Sequence, residues 1–179
     1  RWHLRAADWL RPRGIRAARA EWESARRIAD GLADDHDGVT AMRITPRAML
    51  ISTALYVSDA DGADDLYQEL RELTLRSGDL TPLALATAGL IWSFSVNDIR
   101  VPEAVALASE LDDMVGGVVC DSATRVIILN ALAFIRFVNL EFDAALRGVD
   151  AIRALPGDLP AKETVAAQTL RGIVGMCLG

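Results

Sequence analysis

The chain has 179 residues, 19 basic and 25 acidic, for a net charge of −6; 51% are hydrophobic but only 6% aromatic, and mean hydropathy is +0.21. Such an acidic surface repels phosphates and anionic lipid, so neither direct nucleic-acid binding nor membrane association is expected. Cys120 and Cys177 lack a partner motif, which argues against a disulfide framework or a zinc site and fits a reduced, cytoplasmic setting; no signal peptide is expected among these residues, and the most apolar stretch, residues 126–140, is interrupted by Asn130, Arg136 and Asn139 and is too short to span a bilayer.

An opening helical segment, residues 1–10, ends at Arg11-Pro12-Arg13-Gly14, and a second helix is expected over 15–32. Residues 1–30 carry eight arginines against four acids, and the rest of the chain is net −10. The plain reading of that basic start is a solvated helix pair; the alternative is a basic docking face for a neighbouring domain. From there the chain repeats. Gly38, Gly78, Gly117 and Gly157 fall 40, 39 and 40 residues apart, each beside a polar or acidic break, and two helix-length segments lie between successive breaks. First helices of each pair are predicted near 41–57, 81–97, 121–140 and 160–177, and second helices near 62–76, 101–115 and 141–155. Start signals are Thr81-Pro82, Asp121-Ser122 and Pro160, and the four glycines serve as stop signals.

The second helices align at a spacing of 41. Their columns are Ala63, Ala104 and Ala145; Leu66, Leu107 and Gly148; Leu70, Leu111 and Ile152; Leu73, Met114 and Leu155. Steps of three, four and three residues keep these on one helical face. One period earlier the same stripe reads Trp22, Ala25, Ala29 and Leu32. The first helices match at 40, through Ile51, Ile91 and Ala131 and through Ala54, Phe94 and Phe134. The helix over 121–140 is apolar nearly all round, as an element packed on both sides should be. The last helix has no following partner. Its apolar residues Val165, Leu170, Ile173, Val174 and Met176 would stay exposed unless more chain covers them or the protein forms a homodimer there. The expected fold is therefore all-α: a right-handed array of antiparallel helical hairpins over 41–77, 81–115 and 121–155, with a partial hairpin before and an unpaired helix after. It reads as a single helical-repeat domain, residues 1–179, belonging to a longer protein. Lys162 is the only lysine, an arginine bias that points to a GC-rich genome.

Chemistry is thinly represented. Asp59-Ala60-Asp61-Gly62-Ala63-Asp64-Asp65 begins like a calcium loop, but the later positions that need an oxygen ligand, glycine and glutamate hold Ala63, Asp64 and Leu70. An acidic helix start explains it better. His3 and His36 have no second ligand at metal spacing, and no histidine is placed to activate Cys120. No catalytic residue, cofactor site or metal site is therefore assigned. The polar residues of the first helices are the candidate groove for a partner or ligand: Arg43, Arg47, Ser93, Asn130 and Arg136.

Ala88-Gly89 with Trp92 resembles the core of the tetratricopeptide (TPR) superfamily, here at a longer period. A second resemblance rests on His3-Leu4-Arg5-Ala6-Ala7-Asp8, on Leu66-Tyr67-Gln68-Glu69-Leu70-Arg71-Glu72-Leu73 with Ser77-Gly78-Asp79, on Gly89-Leu90-Ile91-Trp92, and on Glu141-Phe142-Asp143-Ala144-Ala145. Over about residues 1–155 the chain is similar to the TPR-like region of large actinobacterial signalling proteins that carry a class III adenylate/guanylate cyclase domain and an AAA/NACHT-like ATPase. Related repeats occur in LuxR-type ATP-dependent transcriptional regulators. The chain departs from this pattern at Val101-Pro102 and at residues 115–120. The resemblance implies a non-catalytic regulatory or protein-interaction module, partnered by its own ATPase and cyclase domains, by another protein or by a small effector. The alternative it leaves is an effector-sensing domain of a transcriptional regulator.

Overall fold

The computed structural model describes residues 1–36, 38–56, 62–97, 100–157 and 161–178. Among them lie nine α-helices and no strand: α1 (Trp2–Leu10), α2 (Ile15–Asp30), α3 (Val39–Ser52), α4 (Ala63–Ser77), α5 (Thr81–Val96), α6 (Val101–Val115), α7 (Ser122–Val138), α8 (Phe142–Arg153) and α9 (Ala161–Leu178). The protein is all-helical, as expected. The helices cluster into two compact units, Arg1–Ala86 and Thr87–Gly179.

In the first unit α1 packs on α2, α2 on α3, and α3 on α4. Ala7, Ala18, Trp22 and Leu50 form one core cluster, flanked by Leu4, Leu10, Ile15 and Met49. Trp22 is 1% exposed; a buried tryptophan removes about 200 Å² from water, on the order of 5 kcal/mol before entropy is counted. α3 stops at Ser52 and passes into a 3-10 turn, Ala54–Tyr56, instead of running to 57. The reason lies partly in a neighbouring helix. Thr53 Oγ1 donates to Met49 O at 2.7 Å, and Arg19 of α2 donates to Leu50 O and, at 2.7 Å, to Thr53 Oγ1. The end carbonyls of the helix are thus satisfied from outside. Burial lowers the pKa of Arg19, the opposing effect of Glu23 being smaller, yet an arginine keeps its charge throughout the accessible range.

The glycines divide their work differently from the sequence expectation. Gly78 does close α4 in the left-handed conformation, its N–H bonding Thr74 O at 2.9 Å. Gly38, however, stands at the start of α3 with φ 70, and α6 closes at Gly116 in the right-handed region. α8 ends at Ala154, three residues before Gly157. The start signal at Asp121 is present: its carboxylate accepts from Thr124 N at 2.7 Å. Pro160 and the head of the calcium-like segment, residues 59–61, lie outside the described residues.

In the second unit α7 packs against α6, α8 and α9, and α9 touches both α7 and α8. Val126, Ala133, Ala145, Val149, Ile152, Ala167, Leu170 and Val174 make the core. Trp92 of α5 stacks on Phe134 of α7 with ring centroids 4.1 Å apart. Gly148 permits the closest approach of α8 to α7, because a Cβ there would lie 3.0 Å from Ala133 Cβ. The stripe read at a spacing of 41 is the packed face in every second helix: Trp22, Ala29, Ala63, Leu70, Leu73, Ala104, Leu111, Ala145, Gly148 and Ile152 are buried, and its other members are half-buried. The apolar residues of α9 split. Leu170 and Val174 are buried on α7 and α8, whereas Val165, Ile173 and Met176 are exposed.

Candidate functional site

Arginines placed early in helices determine much of the polar geometry. Arg43, in the second turn of α3, donates Nε to Ala29 O (3.2 Å), Nη2 to Leu32 O (2.8 Å) and Nη1 to Asp34 Oδ1 (2.6 Å). It clasps the end of α2. In α7, two residues past the register at which α3 and α7 align, Arg125 in the first turn donates to Val115 O (2.9 Å) and Val118 O (2.7 Å), clasping the end of α6 in a similar manner. The last carbonyls of a helix carry partial negative charge and lack intrahelical donors, so a guanidinium there meets both needs.

Arg47, one turn on from Arg43, is only 6% exposed. It donates Nη2 to Asp30 Oδ1 of α2 and Nε to Glu69 Oε2 of α4, both at 2.8 Å, and Nη1 to Arg43 O at 3.0 Å. Three helices are tied through one side chain. Arg47 follows Pro46, which sits inside α3 without an N–H to give. Ser93 is 1% exposed, and its Oγ is buried without a hydrogen-bond partner. Asn130 is also buried, at 7% exposure on α7.

Arg136 is placed differently. It borders a small cleft of about 70 Å³ between α6 and α7, lined also by Val105, Ala108, Ser109, Asp112, Ile135, Asn139 and Glu141. Its Nη2 donates to Asp112 Oδ2, and Asn139 Nδ2 donates to Glu141 Oε1 at 2.5 Å. The cleft wall includes a strained turn. α7 ends in a Schellman-type closure in which Glu141 N bonds Arg136 O at 2.8 Å, and the left-handed position of that closure is filled by Leu140 with φ 62. A leucine there costs about 1–2 kcal/mol relative to glycine. One guanidinium and two carboxylates round a space this small can hold a charged or hydrogen-bonding group such as a carboxylate or an ammonium. Drug-sized ligands occupy several hundred Å³.

Of the five groove candidates, Arg43 and Arg47 join helices within the first unit, Ser93 and Asn130 lie in the interior of the second, and Arg136 faces the cleft. Asp112, Ser109, Asn139 and Glu141 escaped sequence reasoning because they sit on a second helix or after α7, where polar residues are the norm. His3 pairs with Glu21 of α2 at 2.6 Å, Cys120 is half-buried and Cys177 exposed. Among the described residues no group of three or more His, Cys, Asp or Glu is placed to hold a metal, and no helix is long and apolar enough to cross a membrane. Comparison with protein-family models, with curated proteins and with solved structures finds no match.

Proposed function

We propose that residues 1–179 form a TPR-like, right-handed array of helical hairpins that serves as a non-catalytic regulatory and protein-interaction module of a cytoplasmic nucleotide-signalling protein, of the cyclase–ATPase kind. The observation that carries this reading is the repeated register. A buried stripe recurs at 41 residues in four helices, and an early arginine in each of α3 and α7, Arg43 and Arg125, clasps the end of the helix before it. In an array of this kind each repeat would contribute one interface to its neighbour, and a partner that binds across helices would bias their packing. Modules of this kind couple domains instead of making or breaking bonds.

A small effector is the second reading, favoured by the charged cleft at Arg136. The test begins with the coding sequence on both sides of this region. A cyclase and ATPase region upstream supports the proposal, whereas a helix-turn-helix downstream without a cyclase replaces it by the transcriptional-regulator reading. Incubating the 179-residue chain with ATP or GTP and magnesium then checks the non-catalytic claim, which nucleotide turnover would refute.

A further inference from the structure

α1 is amphipathic in an unusual sense. Ala7 is buried and Leu4 and Leu10 pack beside it against α2 and α3. The other side of the helix presents Trp2, Arg5 and Trp9, and Arg13 in the following turn continues the line; steps of three, four and four residues hold all four on one stripe. Trp2 is 80% and Trp9 61% exposed. Tryptophan is highly buried on average, and tryptophan and arginine are enriched among the residues that carry most of the energy of binding surfaces. Each indole is covered by a guanidinium on one face: Arg5 Cζ lies 5.8 Å from the ring centroid of Trp2, and Arg13 Cζ lies 4.1 Å from that of Trp9. Arg13 is further pinned by donating Nη1 to Trp9 O at 2.6 Å. Stacking of this kind, modest at an exposed site, biases both side chains toward one geometry while guanidinium N–H groups remain to bond a partner.

The charge around the stripe is uncompensated. Residues 1–16 hold five arginines and one aspartate, and residues 17–179 are net −10. Among the described residues, no carboxylate pairs with Arg1, Arg5, Arg11, Arg13 or Arg16, and all five are exposed. We propose that this Trp–Arg face of α1 docks a short acidic polypeptide segment, with carboxylates on the arginine forks and apolar side chains against the two indoles.

Size and charge select that occupant. The two tryptophans are about 10 Å apart along the helix, from a rise of 1.5 Å per residue, so the patch meets a few residues of a partner. Screening confines its attraction to about 8 Å at physiological salt. A short acidic segment engages the basic patch alone, whereas a long nucleic acid or a flat anionic bilayer also meets the negative remainder of the chain. Carboxylates form bidentate pairs with guanidinium, the stronger class of hydrogen bond. This inference stands apart from the cyclase–ATPase reading, and neither failure implies the other.

The experiment is a fluorescence titration of the whole chain with a synthetic peptide of repeated Asp-Glu-Leu. Trp22 is buried and Trp92 half-buried, so a saturable blue shift reports on Trp2 and Trp9. The double variant Arg5→Glu/Arg13→Glu is expected to weaken binding by about tenfold or more, and added salt to weaken it further. Trp2→Ala/Trp9→Ala, followed by anisotropy of a labelled peptide, is expected to abolish it. These side chains are exposed, and an unchanged far-UV circular dichroism spectrum verifies the fold of each variant. The proposal is overturned by no response to the peptide, by a response that survives charge reversal, or by tighter binding of oligothymidylate or of phosphatidylserine vesicles than of the peptide.

Discussion

Replacing Gly148 and Gly172 by alanine, one at a time, separates helix propensity from helix packing. Both glycines lie inside helices of the second unit, α8 and α9. At Gly172 an added Cβ meets nothing within 4 Å, so Gly172→Ala gains the propensity difference, about 1 kcal/mol. At Gly148 the same Cβ lies 3.0 Å from Ala133 Cβ, 3.5 Å from its Cα and 3.8 Å from its N. Carbon atoms rest about 3.5–4.0 Å apart, and Ala133 has no flexible side chain to swing away, so α8 must back off α7. Overpacking of that kind costs about 1–3 kcal/mol; after the propensity gain, Gly148→Ala is expected to destabilise by about 0–2 kcal/mol. The two variants should therefore differ by about 1–3 kcal/mol although the chemical change is identical. Urea unfolding followed by circular dichroism, with the denaturant slope checked for constancy, measures the difference. Equal stabilisation by both substitutions would falsify the close-approach account of the α7–α8 interface.

Other outcomes follow from single side chains. Arg47→Met should cost about 1–3 kcal/mol, because it leaves Asp30 and Glu69 without their shared cation; both carboxylates are partly solvated, which keeps the loss below that of a fully buried pair, and a double-mutant cycle with Glu69→Gln measures the coupling. Ser93→Ala should stabilise by about 1 kcal/mol in thermal unfolding, since it removes a buried hydroxyl that has no partner, and a loss of stability would mean that the hydroxyl is satisfied in solution. Leu140→Gly should also stabilise by about 1 kcal/mol by relieving its positive φ, measured by the same unfolding assay. Asp121, bonded by Thr124 N–H and hydroxyl, and Glu103, bonded by its own backbone N–H and then by Arg100, are both held below the usual carboxylate range. A depressed acid contributes stability above its unfolded pKa of about 4 and loses it as pH falls through the folded value. Unfolding midpoints should thus be flat through neutral and mildly acidic pH and drop below that range, less steeply in Asp121→Asn.

Periodicity made the helices legible, since an apolar stripe stepping by three and four residues can be satisfied only by a packed helix, and capping residues such as Asp121 and Gly78 act within their own turn. What periodicity cannot convey is which carbonyl another helix brings within reach. Arg43 and Arg125 do not share a position in the 40-residue alignment of their helices, and nothing in the sequence links either one to a carbonyl of the preceding helix. Only the approach of the ends of α2 and α6 turns them into clasps. The early end of α3 has the same origin, in a guanidinium arriving from α2. The cleft shows the limit most plainly: Arg136 was visible as a charge in an apolar helix, whereas its counter-ion Asp112 lies 24 residues away and the strained Leu140 breaks the rule that glycine fills that position. Leu140, a residue that departs from a local rule beside a charged cleft, carries a cost of about 1–2 kcal/mol that its surroundings must offset. That places the α6–α7 end, together with the uncompensated Trp–Arg face of α1, ahead of the apolar helix faces as the parts of this chain where binding should be sought. Both combine exposed or accessible charge with side chains biased by neighbouring contacts, and such preorganisation lowers the entropy lost when a partner docks.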